Sequence, residues 1–281
     1  MNLTDILVIC ICALLNYTKG ENVDNISEFI HTHELPHRTL TECGDTITAN
    51  NGTIQYKLNQ TYDANELCVF MIRFESGFVE TTFTLDSNGF SDSDFDAISI
   101  FRDMAGLGYE TNLGLDRQTV SFFGYGAIVV FRTNSSLGTG FQLSFTPDLI
   151  VSEENFAGNN VLFDDESESP LSIPFPSNYI ESAIHNYFCI TSASKVISEP
   201  DTFLKLNVTG FFGDVDNSCN NMIEIHSFLN QLKIEKLICG GEDDGVLFEF
   251  ATRGIFFVFH RQANGLPITT GEITWEKVST G

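Results

Sequence analysis

Short runs of alternating apolar and polar positions dominate the chain from residue 81 onward: TTFTLDS, DAISIF, TVSFFG, AIVVF and FQLSF. A second series follows, with FLKLNV, MIEIHSF, VLFEF, IFFVF and EITW. Alternation with period two places successive side chains on opposite faces, so each run predicts a half-buried β-strand. The Gly, Asn and Asp clusters between runs supply turns. No segment sustains an i, i+3, i+4, i+7 stripe over three helical turns, and an all-β chain is expected.

The two series are also parallel in layout. Ile98 and Ile100 stand before Phe131 much as Ile223 and Ile225 stand before Phe259, and each series closes on a glycine and a last strand, at Gly140 and Gly271. This is an internal repeat of about 110 residues. It predicts two antiparallel β-sandwich domains in tandem, at 43–147 and 161–281, joined by a linker at 148–160 (DLIVSEENFAGNN). Residues 21–42 read as a polar N-terminal extension.

Composition narrows the function. The 281 residues carry 14 Lys+Arg against 38 Asp+Glu, a formal net charge of −24. Such a surface repels phosphates, which argues against nucleic acid and anionic membranes as partners. At 42% hydrophobic the chain can fill ordinary cores. Composition shares the β bias of the pattern, with 26 phenylalanines and a single tryptophan amid many Thr, Ile and Val.

Ile6 to Leu15, ILVICICALL, is uninterrupted apolar sequence. It covers only about 15 Å as a helix, half of a bilayer core. With Thr18 and Gly20 small, it reads as a secretory signal peptide over residues 1–20, despite Asp5 and the lack of an early Lys or Arg. A buried strand of a cytosolic protein is the competing reading. The mature chain is therefore expected to be secreted, with no membrane insertion.

Secretion makes Cys43, Cys68, Cys189, Cys219 and Cys239 candidates for pairing, but five is odd. N-x-S/T sequons stand at Asn25, Asn51, Asn59, Asn134 and Asn207 and are the expected glycosylation sites, a number only a little above chance and so mild support.

The first block opens with Cys43-Gly44 and continues with YDANELCVFMI (Tyr62 to Ile72), DFDAISIF and VVFRTNSSLGTGFQLSF. The second has SIPFPSNY (Ser172 to Tyr179), Cys219 and Cys239-Gly240. In order and spacing these motifs resemble the extracellular CUB domain, with Phe70 in the place of its tryptophan. The resemblance covers nearly all of 43–278 and implies a jelly-roll β-sandwich for each block.

The resemblance also implies disulfides. The first block keeps the family's first bridge, Cys43 with Cys68, and the second keeps the second bridge, Cys219 with Cys239. Cys189 is left over, with Asn186 in the place of the lost cysteine. It reads as a buried free thiol acting as a small hydrophobe. An intermolecular bridge that would make the chain an oligomer and an unexpected internal pairing are the other readings.

Many CUB domains hold calcium through a Glu and two Asp. Here Asp96 occupies one Asp place, Asp86 the Glu place with two extra residues between, and Asn134 the final Asp place. The alternative is a solvated acidic loop, DSNGFSDSDFDA. The second block, with Asn221 and then Arg261 or Gln262 at those places, is expected to bind no calcium.

His33-Glu34-Leu35-Pro36-His37 fits the H-E-x-x-H zinc-protease motif. Pro36 opposes the helix that the motif needs, because it removes a backbone donor and clashes with the preceding turn. Too few mature residues precede it to build a backing sheet. Opportunistic zinc binding by His31, His33 and His37 is the most this segment offers. His185, His226 and His260 sit in strand-like runs and read as structural.

The expected function is that of a non-enzymatic protein whose CUB-like domains bind extracellular proteins or glycans. Acidic loops DDESE (Asp164 to Glu168) and GGEDDG (Gly240 to Gly245) favour a basic partner. Similarity to divergent CUB-like factors of invertebrates extends this to host defence by analogy. A structural matrix or cuticle component is the alternative, and a zinc protease a distant second.

Overall fold

The structure is a computed structural model. It describes residues 38–279, apart from 92–96, 104–106, 135–137, 153–156, 163–170, 176–184, 192–194, 198–201, 212–218, 220 and 264–269. In chain order the strands are β1 Arg38–Leu40, β2 Thr46–Thr48, β3 Gly52–Thr61, β4 Glu66–Arg73, β5 Phe78–Gly89, β6 Ala97–Asp103 and β7 Leu107–Leu113. Then come β8 Thr119–Gly124, β9 Gly126–Arg132, β10 Thr139–Ser152, β11 Ala157–Leu162, β12 Leu171–Phe175, β13 His185–Thr191 and β14 Lys195–Ile197. The last are β15 Thr202–Phe211, β16 Asn221–Phe228, β17 Leu232–Ile238, β18 Phe248–Thr252, β19 Ile255–Ala263 and β20 Thr270–Ser279. A short 3-10 turn at Gly241–Asp243 is the only helical element among the described residues.

These strands form four sheets. Sheet I has the order β1-β3-β10-β5-β8, and sheet II the order β14-β4-β9-β6-β7 with β2 on β4. Sheet III is β11-β13-β19-β16-β17 and sheet IV is β12-β20-β15-β18. The all-β expectation of paired antiparallel sandwiches holds. Pairing is antiparallel except for β1 on β3, β2 on β4 and β11 on β13.

Sheets I and II enclose one core. Ile54, Phe83, Phe141 and Phe145 of sheet I meet Cys68, Phe70, Ile72, Ile98, Ile100, Val129 and Phe131 of sheet II. Edge-on aromatic pairs run through it, such as Tyr62 with Phe131 at 5.4 Å and Tyr56 with Phe70 at 5.6 Å. Such pairs add about 0.5–1.5 kcal/mol each beyond burial. A second core gathers Leu204, Leu206, Val208, Ile273 and Trp275 of sheet IV with Ile223, Ile225, Phe257, Val258 and Phe259 of sheet III.

That second core also contains Leu67, Val69, Met71, Phe101, Ile128 and Val130. These are the alternate residues of β4, β6 and β9. The central strands of sheet II, β4, β6 and β9, therefore have no wet face: Cys68, Phe70 and Ile72 of β4 point into the first core and Leu67, Val69 and Met71 into the second. Phe101 makes the join visible, packing edge-on to Phe228 at 5.3 Å and against Phe257 at 5.7 Å. Polar contact adds to it, since Arg132 Nη1 donates to the Asn230 carbonyl at 2.5 Å. Main-chain bonding does the same, as β14 pairs antiparallel with β4, Lys195 opposite Cys68 and Ile197 opposite Glu66.

This corrects the reading of AIVVF and IFFVF as half-buried strands. Ala127 to Phe131 and Ile255 to Phe259 are buried throughout, as continuous apolar runs are when a strand is covered on both sides. The stretch expected as a linker, 148–160, is strand at both ends. Residues 148–152 complete β10, and 157–160 begin β11. Here Leu149 pairs with Glu80 and Ile150 with Val79, so the ladder simply runs on. At the other end of the block, Arg38–Leu40, expected within the polar extension, add a parallel strand to β3.

Because the two cores share sheet II, the described chain should unfold in one calorimetric transition. Phe101→Ala should shift that whole transition down, at a cost of about 3–5 kcal/mol. Two separable transitions, of which the substitution moves one, would show that the halves are independent.

Candidate functional site

Three connections meet at one end of the first sandwich: β3 to β4, β5 to β6 and β9 to β10. Tyr62 ties them. Its hydroxyl accepts from the Ser91 backbone N–H at 3.0 Å and lies 3.1 Å from the Ser91 hydroxyl. Its own N–H donates to the Gly138 carbonyl at 3.4 Å. Only glycine fits at 138, since a Cβ there would stand 2.0 Å from the Tyr62 hydroxyl and 2.6 Å from the Gly89 carbonyl.

Below Tyr62 lies a polar cluster that sequence reasoning missed. The Glu66 side chain is fully buried at the start of β4. Its carboxylate accepts from the Tyr56 hydroxyl, from Lys57 Nζ at 2.8 Å and from the Asp63 N–H at 2.9 Å. Its backbone N–H donates to the Thr133 hydroxyl at 2.9 Å, which donates onward to the Asp63 carbonyl at 2.6 Å. Lys57 also pairs with Asp63 at 3.0 Å.

Tyr56 and Lys57 are neighbours in β3 and should face opposite sides. Lys57 has φ of 45°, in the left-handed region where a lysine is strained. This turn breaks the alternation, and consecutive side chains both reach Glu66. The only sequence signal was a lone acid heading an apolar run, ELCVFMI.

The cluster is electrostatically tight. Burial, and then the hydrogen bond and negative charge of Glu66, push the Tyr56 phenol far above its ordinary value of 10.0. For Lys57 burial works against the charge, but Glu66 and Asp63 outweigh it and raise the ammonium above 10.5. Both groups hold their protons more firmly folded than unfolded. Their stabilisation is complete below the unfolded values and is lost as pH rises through the folded ones.

The residues expected to hold calcium fall differently. Asp86 is exposed on the outer face of sheet I, beyond the buried Leu85. It accepts from the Ser144 hydroxyl at 3.2 Å and from Gln142 Nε2 at 3.4 Å. Asn134 is exposed just past Thr133, at the loop end. Asp96, with Asp92 and Asp94, lies outside the described residues. Among the described residues no three His, Cys, Asp or Glu side chains are grouped so as to hold a metal ion. Asp86 as placed thus fits a hydrogen-bonding role on a sheet face and not a loop-end ligand set.

Both implied disulfides are formed, Cys43–Cys68 with Cα atoms 5.4 Å apart and Cys219–Cys239 at 5.2 Å. Each separation suits a bridge. Cys189 lies in β13, opposite Phe259, and its side chain is outside the described residues.

Of the sequons, Asn59 and Asn134 are exposed, while Asn51 and Asn207 are half-buried. The side-chain carbonyls of Asn51 and Asn207 are buried without a hydrogen-bond partner among the described residues. Asn25, the histidines 31, 33 and 37, and the DDESE loop lie outside the described residues. His226 is buried with Nε2 3.2 Å from Glu224 Oε2, which agrees with a structural role. The side chains of His185 and His260 are not described. Asp243 of the GGEDDG loop turns inward, accepting from the Cys239 N–H at 3.3 Å and pairing with Lys236 at 3.3 Å.

No protein-family model and no curated protein matches the chain. Among solved structures, it is similar to the MASP-1 CUB2 domain bound to Ca2+, at 19% identity and a TM-score of 0.30, over 37% of this chain and 99% of that one. It is similar to the CUB1-EGF-CUB2 domains of rat MASP-1, at 12% identity and a TM-score of 0.30, over 85% and 100%. A third is the full extracellular region of zebrafish Gpr126/Adgrg6, at 11% identity and a TM-score of 0.29, over 87% and 34%.

Two measurements test the Glu66 cluster. Glu66→Gln should lower stability by about 2 kcal/mol in chemical denaturation, since it leaves buried donors poorly matched. Above pH about 10 the melting temperature of the chain should fall, and the double variant Tyr56→Phe, Lys57→Met should fall less steeply. Equal slopes would remove both groups from the account.

Proposed function

We propose that the chain is a secreted, non-enzymatic binding protein of two CUB-like modules, at 43–147 and 161–281, acting on an extracellular protein or glycan. One observation carries this reading. The central strands of sheet II are buried on both faces, so the described stack presents the outer faces of sheets I and IV, and the loop end braced by Tyr62 and Glu66, on a fixed frame. A surface held so firmly loses little entropy when it binds, which is the physical basis of preorganised recognition.

Several features support secretion: the apolar leader at 6–15, the sequons and the two disulfides. Among the described residues no helix is long and apolar enough to cross a membrane. Host defence enters only by analogy to similar divergent factors. A matrix component remains the second reading, favoured if Cys189 bridges chains.

Binding is tested by capture from extracellular fluid on the intact immobilised chain. A saturable partner that survives competition by unrelated acidic protein is the expected result. Retention of nothing above control would count against a binding function. Non-reducing electrophoresis separates the matrix reading, since a Cys189-linked multimer that Cys189→Ser dissolves would favour it.

Calcium forms a separate part of the proposal, resting on Asp96 and Asn134, with Asp86 having to leave Ser144 and Gln142 to join them. Its affinity would be weak, about 10⁻⁴ to 10⁻³ M. The melting temperature of the whole chain should rise in millimolar calcium over chelator, and Asp96→Ala should abolish the rise. Identical melts in the two conditions would eliminate the ion.

A further inference from the structure

The outer face of sheet I has an uneven chemistry. Of its five strands, β5, β8 and β10 contain Glu80, Asp86 and Asp148 and not one Lys or Arg, while the cations of the sheet, Arg38 and Lys57, stand in β1 and β3, Lys57 pairing with Glu66 and Asp63. Toward one end the face is apolar. Phe123 is 37% exposed and Leu149 is 54% exposed, and they flank Glu80 across three adjacent strands. Phe78 stacks on Phe123 with ring centroids 6.0 Å apart and leans on Tyr125 at 5.0 Å. Ile150 and Val151 follow Leu149 and are about as exposed.

Two carboxylates of this face, Asp148 beside the patch and Asp86 toward its other end, have neutral partners. The Thr82 hydroxyl donates to Asp148, so at Thr82 the Ser121 hydroxyl must be the donor, across 2.5 Å. Asp86 accepts only from Ser144 and Gln142 among its described bonds. Hydroxyl and amide donors fix where these carboxylates point and bring no positive charge to them. The outer face of sheet IV differs, because there Lys205 stands 3.9 Å from Glu276.

We propose that the outer face of sheet I, centred on Phe123, Leu149 and Glu80, docks a basic protein segment that carries an apolar anchor. The inference rests on the binding function proposed above and names its surface and the chemistry of its partner. Charge complementarity selects the occupant. A second copy of this chain carries −24 and would bring the same carboxylates face to face. A basic segment relieves that field, and its apolar residue covers the Phe123–Leu149 corner, in the way aromatic and aliphatic anchors centre an interface. Binding of this kind weakens as salt screens it.

The test uses the full chain and two labelled peptides of equal length, one alternating Lys with Leu and one alternating Glu with Leu, read by fluorescence anisotropy. The Lys-Leu peptide should bind and the Glu-Leu peptide should not. Glu80→Gln with Asp148→Asn should weaken binding roughly tenfold, and Phe123→Ser with Leu149→Ser by a similar factor at unchanged salt dependence. Glu249→Gln with Glu272→Gln removes the same charge from sheet IV and should change binding less than about twofold. Melting temperatures confirm that each variant is folded.

Equal losses from the two charge pairs would show a response to net charge alone and overturn the proposal. So would binding of the acidic peptide, or failure of the basic one to bind. Self-association in sedimentation that Phe123→Ser with Leu149→Ser abolishes would assign the corner to a second copy instead. If the intact chain captures an extracellular partner whose binding none of these variants alters, the binding function stands and this surface falls.

Discussion

The burial of the central strands of sheet II on both faces is the constraint from which the rest of the structure follows. β4 sends Cys68, Phe70 and Ile72 one way and Leu67, Val69 and Met71 the other. Each such side chain is worth about 1.5–3 kcal/mol when fully buried, and the second set is buried only because sheet III covers it. The pairing of β14 with the first three residues of β4 fixes the same join through the main chain. Neither sandwich is therefore a bead on a string, and the outward faces keep a set relation within the stack.

Much of this fold was legible in alternation alone. TVSFFG and FLKLNV became strands with one face in a core, as their patterns require. The stacking was not legible, because a fully apolar run such as AIVVF states only that both faces are dry and not what dries them. The linker was misread for a related reason. DLIVS has acidic and apolar residues mixed as a connector would, yet its backbone continues the β5 ladder, which no local signal announces. Both disulfides were legible through the resemblance, since the cysteines stood at motif positions.

The loop end was half legible. Tyr62 and Cys68 stood in a recognisable motif, but the motif says nothing about Glu66, which lies between them. Its role depends on a left-handed Lys57 that sequence pattern treats as an ordinary outward strand residue. Asp86 shows the opposite case. A place in a motif suggested a metal ligand, while simple alternation after the buried Leu85 puts its carboxylate on the sheet face with Ser144 and Gln142. Motif position fixes a residue along the chain, and the local backbone decides which way it faces.

Each block holds one bridge, and the shared core adds stabilisation of comparable size. A bridge closing a loop of this size restrains the unfolded chain by roughly 3 kcal/mol. Two or three extra side chains buried at the join contribute as much. Phe101 between Phe228 and Phe257, with Val69 and Val130 beside it, supplies that burial at positions an isolated module would need to keep polar. Burying them has a second effect. It removes one sheet face of each sandwich from solvent, and the chain's charge must then be carried on what remains. The acids of β5 and β10 stand on such a remaining face, with no cation in the same strands to offset them.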